Sequence, residues 1–280
     1  MRIGSLITLD RNTDIRERFS ELRDMGMDAC QLVCWDLATY KDPRIAETIL
    51  AAKEEYGVTV TAFWAGWEGR CVWDLQEGQV TLGIVPVAYR AQRLQNLKDG
   101  SDFAKKIGVD AVVTHVGYIP ENPYDPNYRG VVTACNEIAE YCHGNGQKFL
   151  FETGQETPLT LKRIIQDIEN AIGPGKVGIN LDPANLIIYG KGNPVDALDV
   201  FGEHVCNIHG KDAVYSNNGY RRGWEVPMGQ GKVNYPVFIR KLQEIGYDGD
   251  ITIEREISGE EQKRDISAAR RLLIELLESD

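Results

Sequence analysis

Residues 148–183, KFLFETGQETPLTLKRIIQDIENAIGPGKVGINLDP, carry one complete unit of the fold. KFLF is a short apolar run of strand character that ends in Glu152. Apolar residues then recur at a spacing near 3.6 from Leu159 to Ile172, the pattern of a helix with one face to cover. A turn, GPGK, leads into a second apolar run, VGINL, that ends in Asp182. Strand, helix and strand in this order call for parallel pairing, because the helix carries the chain back to the edge where the next strand must start.

Working outward, the same unit recurs. MRIGSLI (1–7), ACQLVCW (29–35), VTVTAFW (58–64), AVVTHVG (111–117), VCNIHGK (205–211) and ITIEREI (251–257) bring the strands to eight. Helical spacing fills Ile15 to Met25, Ile45 to Tyr56, Tyr89 to Ile107, Val131 to Cys142, Val195 to Phe201, Tyr235 to Ile245 and Ser267 to Leu277. Several helices end in glycine turns, MGMDA, YGVTV, IGVDA and IGYDG, where glycine supplies the positive φ of a C-cap. Eight repeats favour closure into a (β/α)8 TIM barrel, a single domain over residues 1–280, and no GxGxxG follows the first strand to suggest a dinucleotide fold. Three long connections, 65–86, 117–129 and 210–234, would lie at the C-terminal mouth as the wall or lid of a pocket.

Composition narrows the function classes. A net charge of −11 with no basic run repels phosphate backbones, so nucleic acid is not an expected partner. No stretch approaches the roughly 20 apolar residues of a membrane span, and no signal-peptide core opens the chain, so a cytoplasmic protein is expected. Six scattered cysteines lack CxxC spacing and read as reduced packing residues, Cys142 beside His143 included.

The strongest chemical signal is that strands five to eight each end in a metal-binding side chain: Glu152, Asp182, His209 and Glu254. Equivalent strand ends converge around a barrel axis. Three carboxylates and an imidazole at the edge of an apolar interior need a compensating charge, which one divalent cation supplies. Oxygen and nitrogen ligands suit Mn²⁺, Mg²⁺, Co²⁺ or Zn²⁺; the imidazole favours the transition metals, and Mn²⁺ is the expected ion.

FETGQET, GINLDPANL, NIHGKDA, MGQGKVNYPVFIRKLQEIGYDG and ITIERE resemble the sugar phosphate isomerase/epimerase-like branch of the xylose isomerase-like TIM barrels. The resemblance implies that Glu152, Asp182, His209 and Glu254 bind the metal. It further implies that Glu152 and Glu254 exchange a proton beside a carbonyl, and that homo-oligomers are common. There are departures. Asn185 stands where ketose 3-epimerases carry a histidine, and Gln31 where they carry a glutamate near the end of strand two, so 3-epimerisation itself is not implied. Four histidines do not supply the additional ligands of the three-zinc endonuclease IV.

Further candidates for substrate contact are His115, Glu156, Lys211, Trp64, Arg222 and Asn185. Each has a bland alternative: a packed histidine, a carboxylate at a helix N-terminus, a solvated lysine, a core or lid tryptophan. Trp67, Trp73 and Trp224 are open to the same two readings, and at least two of the four tryptophans are expected to be packing residues. The leading expectation is a sugar or keto-sugar isomerase or epimerase working through an enediolate, on a non-phosphorylated small molecule. Its rival is a keto-sugar lyase or hydratase using the same chemistry. A sugar-binding barrel without catalysis and a phosphodiesterase follow.

Overall fold

The computed structural model describes residues 1–279. Strands run β1 (Arg2–Thr8), β2 (Ala29–Cys34), β3 (Thr59–Ala65), β4 (Ala111–Thr114), β5 (Lys148–Glu152), β6 (Val177–Leu181), β7 (Val205–Gly210), β8 (Asp212–Val214), β9 (Trp224–Val226) and β10 (Asp250–Ile253). All but β8 and β9 pair in parallel and close into a barrel, β10 lying between β7 and β1. The expected (β/α)8 barrel is the fold.

Helices α1 (Ile15–Asp24), α2 (Pro43–Tyr56), α3 (Gly78–Thr81), α4 (Val87–Lys106), α5 (Tyr128–Gly144), α6 (Pro158–Ile172), α7 (Pro183–Ile188), α8 (Pro194–Phe201), α9 (Tyr235–Glu244) and α10 (Glu260–Glu278) complete the order. Short α3 and α7 are extra turns inside βα connections that the apolar spacing did not mark. Helix α10 starts well before Ser267 because Glu260 and Glu261 occupy its first turn, where carboxylates suit the helix dipole. Gly26, Gly57, Gly108 and Gly246 take φ of 76°, 61°, 68° and 74° after α1, α2, α4 and α9, as the glycine turns required. Among the described residues no helix is long and apolar enough to cross a membrane.

Strand alternation divides the interior in two. Residues such as Leu32, Phe63, Val112, Phe149, Ile179, Ile208 and Ile251 face the helices and form the main core. Val33, Ala62, Trp64, Val113 and Leu150 fill the barrel itself. Cys30, Cys34, Cys135 and Cys142 are buried free thiols, and burial pushes Cys142 up to about 12, leaving it inert at neutral pH.

The connection 65–86 is fixed by a fully buried arginine on α4. Arg93 donates from Nε to the Glu68 carbonyl (2.9 Å), from Nη1 to Thr81 (2.7 Å) and Gly83 (2.6 Å), and from Nη2 to Arg70 (2.8 Å). Its guanidinium also lies over the rings of Trp67 (4.0 Å) and Tyr89 (4.4 Å). The segment is therefore a built wall and not a free lid. Replacing Arg93 with Met strands the buried carbonyls of Thr81 and Gly83, releases those of Glu68 and Arg70, and should lower stability by about 3–5 kcal/mol in urea unfolding. Trypsin should then cut after Arg70 in the native protein.

Candidate metal centre and substrate cavity

Period-two alternation sets the height and direction of the four candidate ligands. Leu150 points into the barrel, so Glu152, two residues on, points in at its mouth. Asp182 follows β6 as the N-cap of α7. One carboxylate oxygen accepts the Asn185 N–H (2.9 Å) and the other is left for the centre. Thr153 ties these two strand ends together: its hydroxyl donates to the Asp182 carbonyl and accepts the Asp182 N–H, both at 2.8 Å. His209 lies on β7 and Glu254 directly after β10, its N–H bonded to the Gly210 carbonyl (3.1 Å).

The four residues each offer one ligand atom within 4.8 Å of the others. His209 Nδ1 is 3.2 Å from Glu152 Oε1, 3.0 Å from Glu254 Oε2 and 4.0 Å from Asp182 Oδ2. On the far side of the ring, Nε2 donates to Gln31 Oε1 (2.9 Å), and the Gln31 amide donates to Asn180 Oδ1 (2.9 Å). With the proton on Nε2, Nδ1 turns a lone pair toward the carboxylates. Asp182 Oδ2, His209 Nδ1 and Glu254 Oε2 are buried with no hydrogen-bond partner. Two carboxylate oxygens and an imidazole nitrogen, with only the Lys211 ammonium near the oxygens at 3.3–3.4 Å, are what a cation would join, and the donor set fits a divalent ion.

Charge counting agrees. Three carboxylates face one buried ammonium, Lys211, whose Nζ is 3.4 Å from Asp182 and 3.3 Å from Glu254 and is also bonded to Glu256. With that one positive charge shared, at least two negative charges remain in the cluster, which a divalent ion would meet. Protons would otherwise have to meet them. Burial opposes a charge on His209, but Glu152 and Glu254 outweigh it and hold its pKa well above the usual value. Burial, reinforced by Glu254 and Glu152, pushes Asp182 up to about 7 despite Lys211. Burial also works against Glu152, yet His115, His209 and Lys211 hold its carboxyl at about 2. Trp64 Nε1 donates to Glu152 Oε2, Asn185 Nδ2 reaches its Oε1 at 3.5 Å, and His115 Nε2 stands 3.5 Å from the same atom.

A cavity of about 720 Å³ opens over this cluster. Glu152, Glu254, His115, Trp64, Asn185 and Arg222 line it. Three expectations need correction. Glu156 is buried behind the wall and does not reach the cavity, because it sits in the β5–α6 loop, where no strand alternation aims the side chain. Lys211 is not a solvated loop residue: it is buried beside the candidate ligands, off the cavity. Gln31 lies deep in β2, under His209, and the mouth position on that strand's inward side belongs to Trp35. Trp35 was not anticipated, although the alternation Gln31, Val33, Trp35 signals it. Its ring centre lies 4.8 Å from Trp64 and 6.2 Å from Trp73, and Trp73 packs 5.1 Å from His115, giving the cavity an aromatic wall. Trp67 is a packing residue beneath them, bonded to Thr114 (3.1 Å).

A family model described as xylose isomerase-like TIM barrel matches residues 19–276. The chain belongs to this family. A xylose isomerase domain protein of Planctomyces limnophilus is 33% identical, with a TM-score of 0.89 over 98% of this chain and 96% of that one. An uncharacterized protein of Methanocaldococcus jannaschii is 25% identical over 289 residues, 99% of this chain and 88% of its own length. A D-tagatose 3-epimerase-like protein, 24% identical with a TM-score of 0.73 over 99% and 97% of the two chains, shares the fold.

In this xylose isomerase-like barrel Gln31 orients the imidazole. Gln31→Leu should weaken Mn²⁺ binding in calorimetry about 10- to 100-fold while one ion per chain still binds. Unchanged affinity would show that the amide is only packing.

Proposed function

We propose that the protein is a divalent-metal-dependent isomerase or epimerase of a sugar or keto-sugar, with manganese as its ion. One observation carries this reading: of the four clustered residues, only Glu152 and Glu254 reach the cavity surface, while Asp182 and His209 lie behind it. Two residues hold, and two hold and also meet substrate.

Bound by Glu152, Asp182, His209 and Glu254, a divalent ion would draw electron density from a sugar carbonyl and its neighbouring hydroxyl and acidify the adjacent C–H. Glu152 is ionised at neutral pH and can take that proton; Glu254, whose carboxyl is also held low, can accept or return one on its own side. Trp64 and Asn185 fix the Glu152 carboxylate, so its free lone pair has a set direction. Burial lowers the pKa of His115, which stays neutral at pH 7 and can donate to or accept from a substrate hydroxyl. Trp35, Trp64 and Trp73 offer ring faces to the C–H side of a sugar and exclude water from the carbanionic carbon. The fold shared with an epimerase-like protein supports the same class of substrate.

The Mn²⁺-loaded protein should exchange a substrate C–H proton with solvent in D₂O, followed by NMR across ketoses, aldoses and 3-keto-sugars. Glu152→Gln and Glu254→Gln, tested at saturating Mn²⁺, should each lose about 10²- to 10⁴-fold of that rate. Absence of exchange on every sugar would sink the reading. A product lighter by one water would reassign the protein as a lyase.

A further inference from the structure

A second hollow adjoins the first. It measures about 510 Å³ and shares Trp73, Arg222 and Glu256 with the inner cavity, so these three side chains stand at the border between the two and form a waist. The outer hollow is bounded by the β8–β9 hairpin on one side and the β3–α4 connection on the other, and its own residues include Trp224, Tyr220, Arg221 and Gln76. We propose that it is a subsite for a second sugar ring, so that the substrate is a glycosylated keto-sugar, with one ring at the candidate metal centre and the other against Trp224. This rests on the functional reading above.

The hairpin is a built platform. Strand β9 pairs antiparallel with β8, placing Trp224 opposite Val214. Gly223 is forced at the end of its turn: a Cβ there would stand 2.2 Å from the Val214 carbonyl. The buried Asp212 carboxylate accepts the N–H groups of Gly229 (2.9 Å), Gly231 (2.9 Å) and Val233 (3.1 Å), which pins the return of the loop. Across the hollow, the Gln76 amide donates to the Tyr220 carbonyl (2.8 Å), joining the two walls.

On this hairpin Trp224 and Tyr220 are 52% and 82% exposed, a large apolar area to leave in water. Arg222 lies at the waist, and among the described residues neither it nor Arg221 makes a side-chain hydrogen bond or ion pair. Aromatic faces beside unengaged planar donors suit a pyranose, which presents C–H faces and a rim of hydroxyls. A single monosaccharide in the inner cavity touches none of the groups found only in the outer hollow. A glycosyl substituent reaching through the waist meets them.

The test is calorimetry of the Mn²⁺-loaded protein with D-fructose and with four of its α-glucosyl derivatives, linked through O3, O4, O5 and O6. All keep C2 free, so the ketone stays accessible, and they differ in where the second ring leaves; the O5 link confines fructose to its pyranose ring and the O6 link to its furanose. At least one should bind about tenfold more tightly than fructose. Trp224→Ala and, separately, Tyr220→Ala should remove that gain and leave fructose affinity unchanged, with thermal unfolding confirming that both variants fold. Fructose binding with no gain from any glucosyl group would overturn the subsite and leave the functional reading standing. The functional reading would fall only with the absence of D₂O exchange on every sugar, whereas binding of none of the five would overturn the subsite. A change of oligomeric mass in Trp224→Ala, with the glycoside gain intact, would also overturn it and assign the exposed rings to a contact between chains.

Discussion

Three carboxylates gathered around one imidazole nitrogen in a water-poor barrel mouth repel one another, and the architecture of the mouth follows from how that repulsion is met. Lys211 meets part of that charge, at 3.3–3.4 Å from two of the carboxylates, and shares its ammonium with Glu256. The rest falls to a divalent ion or to protons on His209 and Asp182. Proton and ion thus compete for the same lone pairs, which couples ion affinity to pH. Hydrophobic residues in these positions would pack at lower cost, so the cluster does not account for the stability of the mouth.

Holding such a cluster requires that its members cannot turn away from one another. Three of the four are secured by a contact on the side opposite the centre: His209 by Gln31, Asp182 by the α7 N–H it caps, Glu152 by Trp64. The Thr153 clamp then locks β5 to β6. Because these contacts come from strands and from the first turn of a helix, the geometry is set by folding.

How much of this is readable in the chain depends on whether a repeating pattern reaches the residue in question. Strand alternation extends to Glu152, Asp182, His209 and Glu254, so their convergence follows from the period and the parallel register alone. The same alternation reaches Trp35, one residue past β2. It stops at Glu156, whose direction depends on the path of a loop. The hairpin β8–β9 is hidden for another reason: two three-residue strands flank the nine-residue stretch YSNNGYRRG, too little periodicity to mark a sheet. Arg93 is invisible in sequence because its partners are backbone carbonyls, which any residues could provide.

The charge around the cavity bears on what can enter it. The chain carries a net −11, which disfavours anions at a distance. Of the arginines on the cavity lining, Arg18 is engaged by Glu21 (2.8 Å), and Arg255 by Glu225 (3.2 Å) and Asp265 (2.8 Å). Arg222 alone is left without an ion pair among the described residues. A lone half-exposed guanidinium is a hydrogen-bond donor, whereas a phosphate site collects several positive groups or a row of backbone N–H groups. Aromatic walls, the carboxylates of Asp14, Glu152, Glu254 and Glu256 and a single arginine without an ion pair give the cavity a negative balance, which opposes the entry of a phosphorylated ligand.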